Sequence, residues 1–142
     1  MPASVPAARR AVCAVAAASG ASPDDLERIG LAVSEAVTNA IVHAYSGSTD
    51  GSVQLMAAVL EGELAVLVSD DGCGLGAAPQ SPGLGLGMGV IEYSADALTI
   101  TTRSAGGTII EMRFSLCERQ PANGHSAAAQ PRGSVASAIC PA

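Results

Sequence analysis

The hydrophobic and polar positions divide the chain into helical and extended stretches. From Pro6 to Ser19 strong helix formers run without interruption, with Pro6 suited to a first turn and Gly20 to a stop, which predicts a first helix. Ser22-Pro23-Asp24-Asp25 reads as the start of a second, with serine as cap, proline at the first helical position and acids where the macrodipole favours them. From there to about Tyr45, Leu26, Ile29, Val33, Val37, Ala40, Ile41 and Ala44 recur at intervals of three and four, so one stripe is buried. The segment Ser46 to Gly51 then breaks the helix. Val53 to Leu60 and Leu64 to Ser69, dense in Val and Leu on either side of Glu61-Gly62-Glu63, predict a β-hairpin. Asp71 to Gly89 holds seven glycines and two prolines and is expected to be a loop, followed by a short helix from Met88 to Ala95. Two further strands are expected, Leu98 to Thr102 and Thr108 to Leu116, joined by Arg103 to Gly107.

This order predicts an α+β fold, a two-layer sandwich of a mixed β-sheet with helices on one face. At 142 residues the chain holds one ordinary domain, expected over 1–117. From Glu118 to Ala142 the Ala, Gly, Pro and Ser content with little periodicity predicts a disordered low-complexity tail.

Composition narrows the chemistry. All seven basic residues are Arg, so a phosphate-binding lysine and a Schiff-base mechanism are both excluded. The formal net charge of -6 disfavours nucleic acid and anionic membrane surfaces, and an aromatic content of 2% removes stacking platforms for single strands. Any bound phosphate must be held by backbone amides or a metal. Cys13, Cys73, Cys117 and Cys140 lie far apart, without metal-ligand spacing, which fits a reducing cytoplasm better than a disulfide framework. Arg9-Arg10 followed by Ala11 to Ala18 mimics a signal peptide, but the run is mostly alanine, and export is not expected. No stretch reaches the ~20 apolar residues of a membrane span.

Three groups of residues carry chemical potential. Glu35, Asn39 and His43 are four apart and share one side of the second helix. A carboxylate can accept a proton and an Asn carbonyl can ligate a hard cation, which suits metal-assisted phosphoryl transfer, although the spacing alone equally describes a solvated face. Asp70 ends a strand, shares a face with Leu64, Val66 and Val68, and precedes Asp71-Gly72-Cys73-Gly74. An acid on an apolar face calls for a partner or ligand, whereas Asp and Gly are also the commonest turn residues. Thr108 is expected on the same layer as Asp70. Gly83-Leu84-Gly85-Leu86-Gly87-Met88-Gly89, read as lying directly before the short helix, offers amides that can cradle phosphate without lysine, or is a plain surface loop.

Taken in order, Glu35-Ala-Val-Thr-Asn39-Ala-Ile-Val-His43-Ala44-Tyr45, Asp70-x-Gly72-x-Gly74, Gly83-Leu-Gly85-Leu-Gly87 and Gly106-Gly107-Thr108 resemble the successive ATP-binding boxes of the gyrase, heat-shock chaperone and histidine-kinase ATPase superfamily. The resemblance is closest to its anti-sigma-factor serine/threonine kinases and covers about residues 5 to 116. It implies a Bergerat-type fold binding ATP and Mg²⁺, with Glu35 as general base and Asn39 as the metal ligand. Asp70 would receive the adenine amino group, Thr108 would help fix adenine, and Gly72, Gly74, Gly83, Leu84, Gly85, Leu86 and Gly87 would form the nucleotide loop and lid. Members usually carry a strand ahead of the position of Ser4, so either the sheet is expected to lack an edge strand or the start is misplaced. The short lid from Leu75 to Pro82 has no Arg or Lys to neutralise the γ-phosphate, so transfer is expected to be slow. His43 is assigned an orienting hydrogen bond. The implied function is a cytoplasmic, homodimeric kinase that phosphorylates a STAS-type anti-anti-sigma partner and sequesters a sigma factor. The alternatives are an ATP-loaded switch that transfers nothing and a histidine-kinase catalytic fragment.

Overall fold

The computed structural model describes residues 4–44, 51–72, 84–116 and 134–141. Helix α1 spans Ser4–Ala18 and ends as its sequence requires. Gly20 adopts φ +89°, Ala21 N–H donates to Ala16 O at 3.1 Å and Gly20 N–H to Ala17 O at 3.1 Å, a Schellman closure. Helix α2, Pro23–Ala44, opens on a reciprocal cap. Asp25 N–H donates to Ser22 Oγ at 3.1 Å, while Ser22 N–H and Oγ–H donate to Asp25 Oδ2 at 3.1 and 2.8 Å. Such a box satisfies amide donors that the first helical turn leaves without partners and contributes about 1 kcal/mol.

Strands β1 (Ser52–Leu60) and β2 (Glu63–Asp70) form the expected hairpin, paired from Val53↔Asp70 to Leu60↔Glu63. Its loop is Glu61-Gly62, both at positive φ (51° and 77°), a two-residue turn whose twist matches the strands it joins. Helix α3 covers Leu84–Ser94, and strands β3 (Ala97–Thr102) and β4 (Thr108–Ser115) follow. The last element is a fifth strand, β5, Ser134–Pro141.

The sheet order is β3-β4-β2-β1-β5, and every pairing is antiparallel. The sheet is therefore not mixed. The α+β two-layer architecture stands, and antiparallel pairing builds it without the crossover a parallel pair needs. Alternate residues of β2 (Leu64, Val66, Val68) and β4 (Ile110, Met112, Phe114) are buried under the helices. They meet Ile29, Val33 and Val37 of α2 and Ile91 of α3 in one core. Helix α2 packs on β2 and β4, α1 on β1 and β5, and α3 against α2 and β3.

Two further expectations need correction. The expected tail contains β5, which pairs with β1 from Ser52↔Pro141 to Val59↔Ser134. Averaged over the whole segment, the composition hides the short run that can pair. What holds it is the open backbone of β1, whose N–H and C=O groups would otherwise face solvent along an edge. Residues 118–133 lie outside the described residues. The second correction concerns α3, which begins at Leu84 and not at Met88, so Gly85, Gly87 and Gly89 lie inside the helix. Each interior glycine costs about 0.8–1.0 kcal/mol relative to alanine. At Gly87 the glycine accompanies a close approach to α2 in which a Cβ would fit only tightly, as the site shows.

Candidate functional site

Helix α2 presents Glu35 and Asn39 on one side, both half-buried, one turn apart. Gly87, buried in α3, rests directly on them. A Cβ at that position would stand 3.0 Å from Glu35 Oε2, 3.2 Å from Asn39 Nδ2 and 3.3 Å from Asn39 Oδ1. Gly87 thus seats α3 tightly on the polar stripe of α2, where a Cβ would push the Glu35 and Asn39 side-chain ends aside by a few tenths of an ångström. The next residue, Met88, accepts a hydrogen bond from Asn39 Nδ2 at Sδ, 3.7 Å away. Backbone positions of Leu84, Gly85 and Leu86 lie in the first turn of the same helix. Gly74 and Gly83 lie outside the described residues, as does the side chain of His43.

The sheet contributes a second group. Asp70, at the end of β2, and Thr108, at the start of β4, are both buried polar residues, as strand parity required. Asp70 Oδ1 accepts the Gly72 N–H at 3.0 Å, and the carboxylate also receives the backbone N–H of Thr108. Burial pushes the Asp70 carboxyl above the ordinary value, a direction reinforced by the neighbouring Asp71 carboxylate and opposed by the two N–H donors and by Arg103. Asp71 itself is held by Ser52, whose N–H and Oγ reach its carboxylate at 3.0 and 3.2 Å. The β3–β4 turn fixes the far side. Gly106 and Gly107 both adopt φ +93°; a Cβ on Gly107 would overlap the Asp70 carbonyl, and one on Gly106 would stand 3.0 Å from Gly72 O.

Asp70 is therefore a buried carboxylate held by two backbone N–H groups at the end of β2, and a carboxylate suits a ligand that donates a hydrogen bond. Sequence reasoning placed Asp70 and Thr108 together but assigned nothing to Met88. Its contact with Asn39 crosses 49 residues and has no local signal.

The model of the histidine kinase-like ATPase domain matches residues 1–114. The chain belongs to that family. Membership makes ATP the ligand of the domain. Within the family, the anti-sigma F factor of Clostridium botulinum (strain Eklund 17B / Type B) is 32% identical over 117 residues, covering 75% of this chain and 82% of the relative. The anti-sigma F factor of Geobacillus stearothermophilus is 29% identical, covering 80% and 85%. A blue-light-activated histidine kinase of Erythrobacter litoralis, with a solved structure, aligns at TM-score 0.51 and 37% identity. The alignment covers 66% of this chain but only 33% of the kinase.

Among the described residues no cluster of three or more His, Cys, Asp or Glu side chains can hold a metal by itself. The Asn39 carbonyl oxygen is a hard donor that fits a cation such as Mg²⁺, which keeps few protein ligands and takes its remaining oxygens from phosphates and water. Among the described residues no helix is long and apolar enough to cross a membrane.

Proposed function

We propose that this histidine kinase-like ATPase domain is an ATP-binding anti-sigma regulator with serine/threonine kinase activity. It phosphorylates a Ser or Thr of a STAS-type anti-anti-sigma protein and sequesters a sigma factor, acting in the cytoplasm as a homodimer. The observation that carries this reading is the seating of Gly87 on Glu35 and Asn39. It brings a proton acceptor, a carbonyl ligand and the backbone of a glycine-rich helix to one place. The anti-sigma relatives and the histidine kinase support it from outside the site.

Asp70 accepts from the adenine amino group and Thr108 bounds the adenine. Gly72 and the first turn of α3, Leu84 to Leu86, would line the nucleotide and offer amides to the phosphates, with Gly74, Gly83 and Gly87 assigned to the same loop and lid. Asn39 Oδ1 would hold a Mg²⁺ ion, which when bound would supply charge neutralisation at the phosphates. Glu35 takes the proton of the attacking hydroxyl as that oxygen bonds to the γ-phosphorus, the bond from the γ-phosphorus to the β–γ bridging oxygen breaks and ADP leaves.

The test is ³²P transfer from ATP to a candidate partner, run alongside nucleotide affinity. Glu35→Ala should keep Mg²⁺-ATP binding and lose transfer by roughly 10² to 10⁴. Asn39→Ala should lose binding as well, because it removes a ligand and not a proton acceptor. Wild type that binds both ATP and partner yet labels nothing would make the chain a switch, a reading favoured by the absence of Arg and Lys from Leu75 to Pro82.

A further inference from the structure

An Asn side chain has two faces, a carbonyl that a cation accepts and an amide that it repels. The torsion between them is broad and nearly twofold, so an Asn that must ligate a metal needs something to choose its orientation. Gly87 does not choose, since a Cβ built on it lies almost equally far from Nδ2 (3.2 Å) and Oδ1 (3.3 Å) of Asn39. Met88 does. Its Sδ stands 3.7 Å from Nδ2, and a thioether accepts a hydrogen bond but has no proton to donate. Only the rotamer with Nδ2 toward the sulfur gains from the contact, and that rotamer leaves Oδ1 as the free atom of the amide. Met88 is partly buried and packed against the hydrophobic core, so the sulfur is held in place by the fold of α3.

We propose that Met88 is a positioning residue that fixes the Asn39 amide with its carbonyl offered to the divalent cation. The proposal rests on the reading of Asn39 as the metal ligand. Neighbouring groups that orient a metal ligand typically change metal affinity by 10- to 100-fold, and sulfur is a weak acceptor, so the effect belongs near the lower end.

The measurement is the Mg²⁺ concentration that half-saturates ATP binding at fixed ATP, together with ATP affinity in EDTA and the melting temperature. Met88→Leu, which fills the same space without an acceptor, should raise the Mg²⁺ midpoint about three- to tenfold while leaving affinity in EDTA unchanged. Met88→Ile serves in its place if the leucine variant does not fold. In an Asn39→Asp background, where a symmetric carboxylate needs no orienting, the same Met88 substitution should leave the midpoint unmoved. Two results would overturn the role of Met88: a midpoint in the single variant equal to wild type, or an equal effect in the Asn39→Asp background. Wild-type ATP binding that ignores Mg²⁺ altogether would instead remove Asn39 from the metal, and the proposal with it.

Discussion

Gly107 occupies a position against Asp70 that any side chain would destroy. A Cβ on Gly107 would overlap the Asp70 carbonyl oxygen and stand 2.9 Å from its carbonyl carbon and 3.1 Å from Asp71 Cα. The β3–β4 turn is thus pressed onto the end of β2. This contact brings the following residue, Thr108, close enough to deliver its N–H to the Asp70 carboxylate. A buried acid is oriented from the neighbouring hairpin, by backbone alone.

Gly107→Ala and Gly20→Ala separate backbone strain from steric exclusion. Both glycines have φ near +90°, but Gly20 faces open space. Gly20→Ala should cost about 1 kcal/mol for the left-handed conformation. Gly107→Ala should cost roughly 2 kcal/mol or more, because the end of β2 must also move. Its ATP affinity should fall as well. Urea unfolding of both variants checks this, and equal losses would show that the close approach at Gly107 carries no energy.

Asp70→Asn should separate stability from binding. The folded protein raises the carboxyl pKa through burial, so the ionised form is disfavoured by folding. That penalty is absent below the ordinary value of 3.8 and complete once pH has risen past the folded pKa. At pH 7 the nucleotide-free asparagine variant should therefore melt no lower than wild type, and any advantage should shrink as pH falls through the folded pKa. Its ATP affinity should drop about ten- to a hundredfold, the loss of roughly 1.5–3 kcal/mol from a charge-assisted bond. Calorimetric titration and melting curves at several pH values read both. A variant that binds ATP as wild type does would place adenine elsewhere.

Arg28 ties the end of α3 to α2 and β4. It donates to Asp25 Oδ1 at 3.0 Å, Asp96 Oδ2 at 3.0 Å and Ser94 O at 3.2 Å, reaches Ser115 O, and lies 5.4 Å over the Phe114 ring. Arg28→Met should destabilise by about 2 kcal/mol, since it strands carbonyl and carboxylate acceptors while keeping the stem. The Ser115 N–H at 2.7 Å, followed by Arg28, holds the Asp96 carboxyl below its ordinary value. Its contribution is therefore complete above 3.8 and lost as pH falls through the lower folded value. The stability gap between wild type and Asp96→Asn should close on acidification. A gap that persists unchanged to low pH would contradict this.

Deleting Ser134 to Pro141 should expose the whole length of β1 as an edge. The expected result is a melting temperature lower by about 5 °C or more, with association that grows with protein concentration. Light scattering and thermal melts report the two effects. A truncated chain that stays monodisperse with an unchanged melt would show that β5 contributes nothing to the sheet.

Much of the fold was legible because its signals are local. The Ser22–Asp25 cap, the Gly20 stop, the Glu61-Gly62 turn and the alternation along β2 and β4 each need only a few neighbouring residues. The same holds for Glu35 and Asn39, placed on one side of α2 by helical spacing, and for Asp70 and Thr108, placed on one layer by strand parity. Periodicity and turn chemistry thus determined the elements, the buried faces and the polar residues among them.

Tertiary structure decided what depends on partners distant in the chain. The glycines at 85, 87 and 89 read locally as a loop, yet they lie in a helix that packs on α2, and at Gly87 a Cβ would stand 3.0 Å from Glu35 Oε2. Residues 134–141 read locally as a tail, yet they form a strand because β1 offers an unpaired backbone. Propensity is worth at most about 1 kcal/mol per residue, and packing and backbone pairing across the fold outweigh it where the two conflict.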